Sequence, residues 1–139
     1  MSFQLSTPSR NAELDAIETA ISTSPIMRMY NGSLPANCAA ALSGNTLLVE
    51  GTLPADWMNA ASSGSKTRSG TWSLAGQSGA GAGTTATIFR IYASDGVTCV
   101  MQGTVTVSGG GGDLTLDNAS ISSASTVTVN TFTLTAANS

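Results

Sequence analysis

Apolar residues recur at two different spacings along this chain. Near the N-terminus Leu14, Ile17 and Ile21 fall at i, i+3 and i+7, a single stripe on a helix. Ser6 or Thr7 can cap it, Pro8 suits a first turn, and Glu13 and Asp15 lie early, where the helix dipole favours acids. Pro25 closes the region, so the pattern predicts a helix over about 9–22. Arg10, Glu13, Asp15 and Glu18 lie on it, four of the chain's 13 charged side chains. They predict a solvated outer face.

After Pro25 the spacing changes to that of strands and turns. Ile26–Tyr30 is an apolar run ended by the turn dipeptide Asn31-Gly32. A strand over 46–53 stops at Pro54. Residues 55–61 could form one helical turn, and 67–73 alternate around Trp72. Residues 76–83 are rich in Gly and Ala and read as a flexible loop. A strand over 85–93 turns at Ser94-Asp95-Gly96 into a strand over 98–107. Four glycines, Gly109 to Gly112, break the chain. Leu114 and Leu116, Val127 and Val129, and Phe132 and Leu134 then alternate with polar residues at period two. About eight strands behind one helix predict a mainly β fold: an antiparallel β-sandwich, jelly-roll-like, with one N-terminal helix. Residues 1–7 read as an N-terminal arm and 8–139 as a single β-sandwich domain.

Composition adds an unusual surface. Hydrophobic residues make up 41% and charged residues 9% of 139, and Ser plus Thr number 39. Disorder usually combines low hydrophobicity with high charge, so this reads as sheet with a neutral, hydroxyl-rich exposed face. A net charge of −3 with no basic cluster argues against nucleic acid as a partner. No polybasic or long apolar segment points to a membrane, and the first residues do not resemble a secretory signal. Cys38 and Cys99 then default to reduced thiols acting as small hydrophobes, with a disulfide left open.

Chemistry is sparse. There is no histidine, which removes Ser-His and Cys-His nucleophile systems and most zinc sites. Gly64-Ser65-Lys66-Thr67 lacks the spacing of a phosphate loop and reads as a polar turn. Gly79 to Gly83 is followed by a strand, not the helix that a dinucleotide site requires. Asp113 and Asp117 read as solvated turn acids; a calcium site using them or Asn118 stays open, though no twelve-residue calcium loop is present. Asn31-Gly32-Ser33 and Asn118-Ala119-Ser120 match the glycosylation sequon and read as turns. Trp57, Trp72, Tyr30 and Tyr92 could stack on a sugar, but a β core of this size would use most of its aromatics. The expectation is a protein without catalytic residues, metal or cofactor.

The last charge is Asp117, so the β-patterned residues 118–139 lack the charges that protect free strand edges. They either lie centrally or are covered by another chain. Phe3 and Leu5 in the arm also need something to rest on. The candidate interface residues are Phe3, Leu5, Trp57, Met58, Phe132 and Leu134.

Several segments resemble small structural proteins of tailed bacteriophages: Arg10-Asn11-Ala12-Glu13-Leu14-Asp15-Ala16-Ile17-Glu18, Ser33-Leu34-Pro35-Ala36-Asn37-Cys38, Leu53-Pro54-Ala55-Asp56-Trp57-Met58, Met101-Gln102-Gly103-Thr104-Val105, the glycine run, and Leu114-Thr115-Leu116-Asp117-Asn118. The resemblance spans nearly the whole chain and lies in texture and order, not in a catalytic motif. It implies a capsid cement or decoration protein with a jelly-roll-like fold, assembled in the host cytoplasm and located in the virion. Its implied partners are the major capsid protein and further copies of itself, a dimer being favoured. A tail, baseplate or fibre component shares the same β texture, and a module binding host-surface carbohydrate is the alternative from another class.

Overall fold

The structure is a computed structural model that describes residues 3–137; the chain ends of the predicted arm and domain, 1–2 and 138–139, lie outside it. A helix, α1 (Thr7–Ile21), precedes eleven short strands: β1 (Ile26–Tyr30), β2 (Leu47–Thr52), β3 (Ser65–Thr67), β4 (Trp72–Gly76), β5 (Thr84–Thr85), β6 (Ile88–Tyr92), β7 (Cys99–Val107), β8 (Leu114–Leu116), β9 (Ser120–Ile121), β10 (Thr126–Val129) and β11 (Thr133–Thr135). Seven of them form one sheet in the order β10-β4-β2-β1-β6-β7-β8, while β11 pairs with β3 and β5 with β9. The large sheet is mostly antiparallel and nearly closes into a barrel. One curled sheet therefore supplies both walls of the sandwich-like core, and the expected mainly β fold with one helix is what the chain adopts.

The helix starts at Thr7, two residues earlier than the pattern predicts, because Ser6 is the cap: its hydroxyl accepts from Ser9 N–H and Pro8 sits in the first turn. The arm is thus shorter than 1–7. The first turn holds no acid. The helix buries Leu14 and Ile21, with Ile17 half-buried against the core. Its charged side is not simply solvated. Asp15 accepts from Lys66 Nζ at 2.6 Å and from Ala61 N–H at 2.9 Å, Glu18 lies 2.7 Å from the same ammonium, and Asn11 accepts from Gly64 N–H. Lys66 is 1% exposed. The predicted polar turn at 64–67 is therefore half right: Ser62 and Ser65 bond across a turn, but Lys66 leaves it as a buried strand residue. A buried ammonium requires partners, and the helix supplies two carboxylates.

Strand β1 sits at the centre, paired on both sides, with Met27 and Met29 inward. Strand β6 is buried along its whole length, including Arg90. A chain of rings links Trp57, Trp72, Phe132 and Phe89 at centroid separations of 5.9, 5.1 and 5.9 Å. Residues 55–61 form no helical turn; Trp57 is drawn inward instead, its indole N–H donating to the Ser22 carbonyl, and Met58 bridges to Arg68. The segment expected as one strand over 67–73 divides into β3 and β4, and the loop expected at 76–83 carries a 3₁₀ turn, Ser78–Ala80.

The one parallel pairing among the described residues joins β7 to β8, matching Val105 with Leu114 and Val107 with Leu116. Parallel neighbours usually need a crossover of a dozen or more residues. Here 108–113 suffice, because the glycine run folds back along β7. Gly109 and Gly111 take φ of +87° and +79°, a region that other residues avoid. Gly112 N–H then donates to the Thr106 hydroxyl and Asp113 N–H to that of Thr104. The run is a shaped return, not merely a break.

Candidate protein-protein interface

Because the sheet stops short of closure, its two end strands are β8 and β10, neither with a second strand partner among the described residues. Between them runs a groove of about 290 Å³ lined by Leu116, Asp117, Asn118, Ser125, Val127 and Asn130, among others. Strand β10 pairs with β4 on one side only, among the described residues. Val129 anchors it in the core, Val127 is half-buried, and Thr126 and Thr128 are exposed. An edge strand presents backbone N–H and C=O groups that another extended segment can pair with. Here the edge carries no charge, proline or lysine to oppose that pairing. Of the two readings of 118–139, a central position in the large sheet does not hold: β10 ends that sheet, and β11 lies outside it.

The six candidate residues separate sharply. Phe3 is 75% exposed and Leu5 half-buried, so the arm does present apolar surface. Trp57 at 0%, Met58 at 1% and Phe132 at 4% belong to the chain's own core and cannot form an outer contact surface in this fold. The physical reason is the ring stack, which only closes when Trp57 and Phe132 point inward. Leu134 is half-buried, lying against the core opposite Lys66 across the β11–β3 pair. The groove residues are not among these six candidates, although the last charge of the sequence, Asp117, lies in the groove lining.

A sugar platform loses its aromatics. Tyr30 and Tyr92 are buried with their hydroxyls 3.2 Å apart, and both tryptophans are inside. Burial, then the contact with Tyr92, pushes the Tyr30 phenol well above its ordinary range. Asp113 is a turn acid held by Thr104, whose N–H and hydroxyl both donate at 2.8 Å and keep the carboxyl below the usual range. Asp95 is likewise lowered by the hydroxyl and N–H of Thr98 and by Val97 N–H, which shapes the β6–β7 hairpin turn. Asn31 and Asn118 are turn residues as expected, accepting from Thr46 and Ser120 N–H. No group of three or more His, Cys, Asp or Glu that could hold a metal occurs among the described residues. No helix is long and apolar enough to cross a membrane, among the same residues.

Compared with known proteins, the chain matches no family model, no curated protein and no solved structure.

Proposed function

We infer that this chain is a non-enzymatic structural protein of a tailed-phage particle, a capsid cement protein that binds the outer face of the major capsid lattice as a small homo-oligomer. The observation that carries the reading is the uncharged outer edge of β10 beside an open groove. It supports binding by strand addition, in which main-chain hydrogen bonds supply affinity and the groove selects side chains. The exposed Phe3 supports a second, apolar contact through the arm. Many copies of a modest interface, acting together, would then resist shell rupture. The likeness to phage structural proteins directs the reading to a virion, and the capsid exterior is the location it favours over the tail.

The test is a Thr126→Lys, Thr128→Lys variant mixed with capsids that lack the protein. Both positions are exposed, so the fold should be kept while like-charged lysines block edge pairing. The expected result is an unchanged melting temperature with lost occupancy on the capsid. Full occupancy by the variant would remove β10 from the interface. Imaging that finds the protein on the tail alone would replace the cement reading with the tail reading.

A further inference from the structure

Cys38 and Cys99 are far apart in sequence, on a loop and on a strand, yet the fold brings them together. The loop over 31–46 lies across the face of β6 and β7 that carries Arg90 and Gln102. Within it Asn37 forms a tight turn, its side-chain oxygen accepting from Ala39 and Ala40 N–H at 2.9 and 3.0 Å. Cys38 is held inside that turn. Arg90, only 4% exposed, clamps both of its ends by donating to the Asn37 and Ala40 carbonyls at 3.2 and 2.7 Å. Gln102 accepts from Arg90 Nε at 3.1 Å and itself donates to the Pro35 carbonyl at 2.7 Å. Cys99 opens β7 opposite Tyr92, two residues along β6 from Arg90. Its thiol lies 3.6 Å from the Met101 carbonyl, and the bonds from Arg90 and Gln102 hold the Cys38 turn over this same end of β6 and β7. Both cysteines are free and half-buried.

We propose that Cys38 and Cys99 form a redox-addressable pair, which closes into an intrachain disulfide on meeting a small disulfide oxidant and pins the 31–46 loop to β7. The Cys99 thiol is already engaged by the Met101 carbonyl, and burial, then the neighbouring Cys38, pushes it up to about 12, so the first attack is assigned to Cys38. The Cys38 thiolate attacks one sulfur of the oxidant. The oxidant's S–S bond breaks, one small thiol leaves, and a mixed disulfide forms on Cys38. Cys99 then releases its proton and attacks the Cys38 sulfur, expelling the second small thiol. Two protein thiols lose two electrons and one oxidant disulfide becomes two thiols.

The experiment treats the folded wild-type protein with oxidised glutathione. The expected product has lost two hydrogens in intact mass, yields a peptide linking Cys38 to Cys99, and returns to the starting mass under dithiothreitol. Closing so long a chain segment should raise the melting temperature by on the order of 10 °C. Cys99→Ser should keep a glutathione adduct on Cys38, and Cys38→Ser should stay unmodified. A wild-type protein that stays reduced, retains a mixed disulfide, or forms only disulfide-linked dimers overturns the proposal.

Discussion

The central strands and the helix are held to the same core by different forces. In β1 and β6, Met27, Met29, Phe89 and Ile91 are buried almost completely, and apolar burial carries the attachment. On α1 only Leu14 and Ile21 are fully buried, and the attachment runs through Asn11, Asp15, Glu18 and the buried Lys66. Apolar burial is non-directional, whereas an ammonium between two carboxylates fixes where along the sheet a helix sits. A chain with so few charges places its single lysine at this joint. The scarce charges serve as attachments more than as a solvating coat.

The largest expected effect lies on the apolar side. Trp72→Ala removes the middle of the ring stack and should cost about 4 kcal/mol, read from the urea midpoint at unchanged slope. A loss near zero would mean that the strands are not held as described. On the polar side, Lys66→Ala leaves a cavity and two facing carboxylates without their partner. It should cost about 2–3 kcal/mol, reduced from a fully buried pair because the carboxylates reach solvent. Lys66→Met keeps the volume and should cost less, about 1 kcal/mol. Equal losses for Ala and Met would assign the whole effect to charge and none to packing.

Titration sharpens the same contrast. The hydrogen bond from Lys66, then that from Ala61, lowers the Asp15 carboxyl. A depressed carboxylate contributes stability above its unfolded value, and loses it as pH falls through the folded one. The helix joint should therefore weaken below about pH 4. Burial alone would lower the Lys66 ammonium, but its bonds to Asp15 and Glu18 outweigh burial and leave it raised. Its contribution is complete below the unfolded lysine value and is lost as pH rises through the folded one, above about pH 10. Melting temperature followed across pH should drop at both extremes, and the acid drop should shrink in Asp15→Asn. An identical acid profile in that variant would refute the assignment. The smallest effect belongs to the arm: Phe3→Ser should change stability by less than about 0.5 kcal/mol, since the ring is mostly exposed. Its effect should appear in capsid retention alone. A deletion of residues 1–7 is unsuitable, because it removes the Ser6 cap.

Much of this fold was legible in the chain. Ile26–Tyr30 was found to the residue, and the Asp95-Gly96 hairpin and the late alternating strands were placed closely, because period two and turn chemistry are local signals. The helix was found but its face was misread. Spacing shows which residues share a stripe, not that a lysine fifty residues away will enter the polar one. Trp57 and Met58 were named as contact candidates from a local segment, whereas Trp57 is buried by a ring stack assembled from four distant segments and Met58 by its bridge to Arg68. The groove between β8 and β10 exists only once the sheet has curled, so no window of sequence contains it.

The sheet order also sets a schedule for folding. The ring stack needs Phe132, and β3, made early, waits for β11, its only strand partner among the described residues. Strand β4 likewise waits for β10. Such distant pairings make for slow closure. A nascent chain made at roughly 5–20 residues per second would hold Trp72 without its Phe132 neighbour for several seconds. During that interval β4 lacks the strand that later covers its outer edge. Emergence of Phe132 from the ribosome is thus the commitment step, and a chain stalled before it should be protease-sensitive and chaperone-binding.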